Sequence, residues 1–213
     1  MPKLYLIGGE NVHHRSAQHI NAQAFTDAGK NPTVLVLPWA NAGFDRNYQK
    51  RKLLTDYFRS LGAEKVEFAE YDHLEDPAKK ISTADLVYLT GGQTTALIER
   101  IKKAGLEGQL RGYRGVIVGR SAGALALCSK CLTTCRSNQK PKIVTGLGLV
   151  DIAMKAHYRS SRDDVLRRFS FVEPVFAVPS KSALVSENGE LYAIGTVYVF
   201  QNGQRRTFTN CHL

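Results

Sequence analysis

The chain has 213 residues, enough for one domain with a single core, and this reading assigns residues 1–213 to one α/β hydrolytic domain. Its 43% apolar and 23% charged residues exclude a disordered, collagenous or disulfide-scaffold chain. No apolar run reaches the roughly 18 residues of a membrane span, and the start MPKLYLIGG turns into Gly8-Gly9 before a signal-peptide core develops. A cytoplasmic protein without a membrane partner is expected. The balance of 29 basic against 19 acidic residues, +10 overall, suits acidic ligands. No polybasic tail or recognisable nucleic-acid module accompanies it, so a small acidic substrate is expected and nucleic acid is not.

Short apolar runs alternate with segments of helical period, the pattern of a parallel sheet covered by helices. Strands are predicted at 3–7, 33–37, 65–69, 84–89 and 115–118, the last buried on both faces by its Val-Ile-Val content. Helices are predicted at 20–28, 45–61 and 94–103; in the second, Leu53, Leu54, Tyr57, Phe58 and Leu61 form one stripe. From 171 to 208 the texture changes to short alternating strands, punctuated by Glu187-Asn188-Gly189 and Gln201-Asn202-Gly203 as hairpin turns. The fold class is therefore α/β: a doubly wound, mostly parallel sheet finished by C-terminal antiparallel strands.

Cys128, Cys131 and Cys135 have the i, i+3, i+7 spacing of one helical face, where thiols act as modest hydrophobes. Zinc binding lacks a second pair of ligands beyond Cys211 and His212 at the C-terminus. His13, His14 and His19 have no matching acid or thiol pattern, so no metal or cofactor is expected.

The strongest chemical signal is Val116-Ile117-Val118-Gly119-Arg120-Ser121-Ala122-Gly123-Ala124. A buried strand runs into Gly-x-Ser-x-Gly and then into small residues of a helix, the context of a nucleophile elbow. The glycines let strand and helix approach, Ser121 points out at the carboxyl edge of the sheet, and the Ala122 N–H can face a developing oxyanion. A second strand, 86–89, ends in Thr90-Gly91-Gly92-Gln93-Thr94 on the same edge, where its amides can complete that hole. A serine nucleophile needs a base. Downstream of Ser121 the histidines are His157 and the penultimate His212, and His157, at the end of an apolar run, is favoured. Gly8-Gly9-Glu10-Asn11 is too short a glycine signal for a nucleotide. Between Glu107 and Asp151 no acid occurs, while Arg111, Arg114, Arg120, Lys130, Arg136, Lys140 and Lys142 do.

With Gly146-Leu147-Gly148-Leu149 and Ala156-His157-Tyr158 added, the order and spacing of these motifs resemble the peptidase E (aspartyl dipeptidase) and cyanophycinase family of serine peptidases from about residue 5 to 200. The resemblance implies a fold related to class I glutamine amidotransferases, with Ser121 where those have an elbow cysteine. It implies cleavage after an N-terminal aspartate without metal or cofactor, by a monomer or homodimer. Carried over by position, Ser121 is the nucleophile, His157 the base, and the amides of Gly92 and Ala122 the oxyanion hole. Arg159 or Arg162, with Gln93, lies on the substrate side, a guanidinium being able to grip a carboxylate by two parallel hydrogen bonds.

One position departs from the family pattern. Where an orienting Asp or Glu is expected, the chain reads Cys135-Arg136-Ser137-Asn138-Gln139. Asp151 or Asn138 then orients His157, or the protein is a dyad or an impaired relative that binds acidic ligands. An esterase using Ser121, Asp163 or Asp164, and His212 is the remaining alternative.

Overall fold

The computed structural model describes residues 1–40, 48–71, 76–133 and 141–213. The first half alternates strands and helices: β1 (Lys3–Ile7), α1 (Gln18–Ala28), β2 (Thr33–Leu37), α2 (Tyr48–Ser60), β3 (Lys65–Phe68), α3 (Pro77–Thr83), β4 (Leu86–Leu89), α4 (Thr94–Lys103), α5 (Glu107–Gly112), β5 (Val116–Arg120) and α6 (Ala122–Leu127). The second half is mostly strands: β6 (Cys128–Thr133), β7 (Lys142–Thr145), β8 (Val150–Ala156), then α7 (Asp163–Phe169) after a single 3-10 turn, and β9 (Val175–Val178), β10 (Ala183–Glu187), β11 (Glu190–Ile194), β12 (Thr196–Gln201) and β13 (Gln204–Thr209).

The strands build two sheets, of order β11-β10-β1-β5-β4-β2-β3 and β13-β12-β9-β8-β6-β7. In the first, β1, β5, β4, β2 and β3 pair in parallel, and β10 and β11 close the edge antiparallel. Helices cover both of its faces. Ile20, Phe25, Leu54, Tyr57 and Phe58 of α1 and α2 pack with Tyr5, Val34, Val116 and Val118 on one side. Ile81, Leu97, Ile101 and Leu110 of α3 to α5 pack with Leu6, Val87 and Ile117 on the other. The doubly wound sheet thus matches the expectation from the sequence.

The second sheet is a finding of the structure. Its β6, β8 and β9 run parallel, and β7, β12 and β13 complete it antiparallel. The expected antiparallel finish is therefore divided between two sheets, β10 and β11 in one and β12 and β13 in the other. Cys128, Met154 and Val178 of the second sheet lie in the same apolar cluster as Leu6 and Ile117 of the first, so both share one buried layer. Both predicted hairpin turns form, each with two central residues at positive φ: Asn188 and Gly189, Asn202 and Gly203.

The cysteine expectation is corrected. Cys128 and Cys131 sit in β6, because α6 ends after six residues and the chain goes directly into a strand. Both thiols are buried, one against Ala124 O and Met154 Sδ, the other against Leu125 O, and burial pushes both thiols up, Cys131 to about 12. They are apolar filling, as expected, on a different element. Cys135 lies outside the described residues. Helix α3, not foreseen, starts where the Asp76 carboxylate accepts from Ala78 N and Pro77 takes the first turn.

Candidate active site

Three consecutive carbonyls at the end of β1 organise the site. Ile7 O accepts from Ser121 N at 2.9 Å, Gly8 O from His157 N at 2.9 Å, and Gly9 O from Lys181 N at 2.9 Å. The first bond continues the parallel register in which Ile7 faces Arg120. The other two reach the second sheet, where β8 and β9 run parallel with Ala156 opposite Val178 and end side by side. The carboxyl ends of β1 and β5 therefore meet those of β8 and β9, and Ser121, His157 and Ser180 stand at the junction.

Ser121 sits at the tip of the predicted elbow with φ 53° and ψ −104°, a region costly for a residue with a Cβ. The flanking glycines are required by close approach. A Cβ on Gly119 would stand 2.6 Å from Ala124 N, and one on Gly123 would stand 2.3 Å from Leu89 O. Ser121 Oγ lies 2.7 Å from His157 Nε2, and His157 Nδ1 lies 3.0 Å from Ser180 Oγ. His157 also has positive φ, 50°. Its ring fits against Gly9, where a Cβ would stand 2.2 Å from Cε1 and 2.4 Å from Nδ1. The Gly8-Gly9 pair, assigned no role from the sequence, is the template that holds the imidazole.

The other expected residues are placed as follows. Gly92 (φ 155°) lies in the turn after β4, with Gln93 exposed and its N–H donating to Ala40 O at 2.8 Å. Ala122 is buried as the first residue of α6. Among the described residues, neither the Gly92 nor the Ala122 amide has a backbone acceptor. Arg159 and Arg162 are exposed at the 3-10 turn that follows His157, and the Tyr158 hydroxyl fixes this segment by donating to Asp163 at 2.6 Å.

Of the candidates for orienting His157, Asp151 is excluded by position. It is exposed near the start of β8, while His157 follows its far end, roughly 20 Å along a strand. Asn138 lies outside the described residues, as does all of 134–140. Asp163 is held by Tyr158 and Arg205, and His212 is exposed beside Tyr192 at the outer strand β11. The esterase arrangement is therefore not assembled, because Ser121 meets His157 instead. Ser180 was not found in the sequence: no motif marks it, and its signal is a contact between residues 23 apart. A cavity of about 760 Å³, lined by Lys3, Asp27, Asp85 and Arg114, opens at the opposite edge of the first sheet and contains none of these groups.

Among the described residues, no three His, Cys, Asp or Glu side chains converge to hold a metal, and no helix is long and apolar enough to cross a membrane. No curated protein sequence matches the chain. Solved structures do. A peptidase from an acI-B1 actinobacterium is 17% identical, covers 99% of this chain and 95% of its own, and superposes with a TM-score of 0.70. A protein from Listeria monocytogenes EGD-e assigned to peptidase E is 18% identical, with 91% of this chain and 98% of its own covered and a TM-score of 0.64. These similarities concern the fold. The model of peptidase family S51 matches residues 4–194, so the chain belongs to that family and is a serine-type peptidase.

Proposed function

We propose that the chain is a dipeptidase cleaving after an N-terminal aspartate through an acyl-enzyme on Ser121. The observation that carries this reading is the relay Ser121 Oγ, His157, Ser180 Oγ, with contacts of 2.7 and 3.0 Å. With Nδ1–H donating to Ser180, Nε2 is left as an acceptor for the Ser121 proton. Ser121 Oγ attacks the scissile carbonyl as its proton passes to Nε2, and the oxyanion faces the N–H groups of Gly92 and Ala122. Collapse expels the second residue's amine, which takes the proton from Nε2. Water, deprotonated by the same nitrogen, then releases aspartate and restores Ser121.

The acidic preference is supported by charge. The exposed Arg159 and Arg162 follow the base in the chain, Gln93 is exposed in the turn after β4, and the acid-free stretch of sequence from Glu107 to Asp151 contains the nucleophile. Exposed guanidinium groups attract an acidic peptide over about a Debye length, roughly 8 Å at physiological salt.

The test is a panel of Asp-Leu, Asn-Leu and isoaspartyl dipeptides against wild type, Ser121→Ala, His157→Ala and His212→Ala. Asp-Leu turnover should fall below about one part in a hundred in the first two variants and persist in the third. Loss of activity in His212→Ala alone, or equal cleavage of Asp-Leu and Asn-Leu by wild type, would overturn the reading.

A further inference from the structure

We propose that Arg120 is the specificity residue of this site, its guanidinium gripping the carboxylate of the residue whose carbonyl Ser121 attacks. The assignment rests on the acidic-dipeptidase reading above and names the group that would enforce it.

Position is the first argument. Along β5 the side chains alternate, Val118 into the core under α1 and α2 and Ile117 into the opposite one, so Arg120 leaves the strand on the Val118 side. It ends beside the Gly91 turn. A Cβ built on Gly91 would stand 3.4 Å from Ser121 Cβ and 3.7 Å from Arg120 Cζ. The two groups can be no further apart than those lengths laid end to end, a gap that one aspartyl side chain bridges from a carbonyl held at Ser121.

Partner accounting is the second. A guanidinium carries five N–H donors. Among the described residues, Arg120 uses one, Nη1 to Glu10 O, at 3.5 Å, the outer limit of a hydrogen bond. Its Nε is buried with no acceptor, and among the described residues it enters no ion pair. Two other arginines differ: Arg205 donates to Asp163 and Tyr158, and Arg111 to the carbonyls of Leu147 and Gly148. The carboxylate of Glu10, whose backbone carbonyl Arg120 approaches, is already engaged by the Tyr57 hydroxyl and Asn21 Nδ2.

The third concerns the surroundings. Among the described residues, Arg120 Nε and Asn21 Oδ1 are buried side-chain polar atoms without a partner, and both belong to residues that contact Glu10. Unmatched buried polar groups are rare in folded proteins, and a guanidinium nitrogen left so is accounted for by a partner that arrives from outside the chain. A half-buried guanidinium also binds a carboxylate more strongly than an exposed one, because water screens the pair less. Arg159 and Arg162 are exposed, so they steer and Arg120 holds.

The carboxylate can come from the side chain of Asp-Leu or from the free α-carboxylate of isoAsp-Leu, and both peptides, with Asn-Leu, form the substrate arms. The measurement is kcat/KM in wild type, Arg120→Gln, Arg120→Lys and the Arg159→Ala/Arg162→Ala double variant. Reaction of Ser121 with a neutral fluorophosphonate checks that the elbow is formed. Wild type should prefer one acidic arm over Asn-Leu by about 30-fold or more, Arg120→Gln should reduce that ratio to about threefold or less, and the double variant should keep most of it. If Arg120→Gln does not fold, product inhibition decides: Arg120→Lys should weaken inhibition by free aspartate about tenfold relative to asparagine. An unchanged ratio in Arg120→Gln, or unchanged aspartate inhibition in Arg120→Lys, overturns the assignment while leaving the dipeptidase reading intact. No acidic preference in wild type overturns both.

Discussion

His157 Nδ1 lies 3.0 Å from the hydroxyl oxygen of Ser180, so a neutral group stands at the nitrogen whose partner fixes the tautomer of the base. A hydroxyl orients the ring but stabilises the imidazolium less than an ion would. Ser180→Ala should lower kcat by about 10- to 100-fold with KM little changed, since only the tautomer and ring angle are disturbed. Stopped assays that separate kcat from KM test this, and Ser180→Thr should restore part of the rate. A fall in thermal stability with unaltered kcat would mean that Ser180 is merely structural.

The backbone at Ser121 predicts a stability difference between two inactive variants. Ser121→Ala keeps a Cβ at φ 53° and so keeps the strain, whereas Ser121→Gly relieves it. Urea unfolding should find the glycine variant more stable than the alanine variant by about 1 kcal/mol. Equal midpoints would show that the elbow stores no strain.

Gly9 is expected to be as intolerant as the residues that react. A methyl group there would overlap His157 Cε1 and Nδ1 and approach Ser180 Oγ to 2.8 Å. Gly9→Ala should therefore cut kcat by about 100-fold or more through a displaced ring. Circular dichroism should remain native, because the helices and strands are untouched. Retained turnover would contradict the close packing of Gly9 on His157.

Lys155 gives a pH signature. Burial, and secondarily Arg162, push its ammonium down to about 8 from the ordinary 10.5, and its Nζ donates to Ala156 O. Between those values the unfolded chain holds a proton that the native protein has released, so stability rises with pH across that window; below about 8 the full cost of the buried charge is present. From pH 7.5 to 9.5 wild type should gain about 2 kcal/mol relative to Lys155→Met in urea unfolding. Staying below pH 10 avoids the buried Tyr57 and Tyr113 hydroxyls, which burial pushes up and which oppose this slope. Parallel curves for the two proteins would refute the assignment.

The sequence by itself determined the elements whose signals are local. β1, β2 and α4 have the predicted bounds, because apolar runs, Gly-Gly breaks and helical periodicity act within a few residues. The elbow at Ser121 was legible for the same reason, its glycines standing two residues either side of the serine. His157 was legible by elimination, there being two histidines downstream. The second sheet was hidden because β6, β7 and β8 owe their existence to partners: the Cys128 and Cys131 spacing fits a helix, and pairing with β8 made it a strand. Ser180, Gly9 and Arg120 were hidden for a related reason. Each acquires its role from a neighbour far away in the chain, Ser180 from His157, Gly9 from both, and Arg120 from the Gly91 turn beside Ser121. Local backbone preference wrote the strands and the elbow, while the three carbonyls of residues 7 to 9, binding amides from three distant segments, decided which side chains would meet.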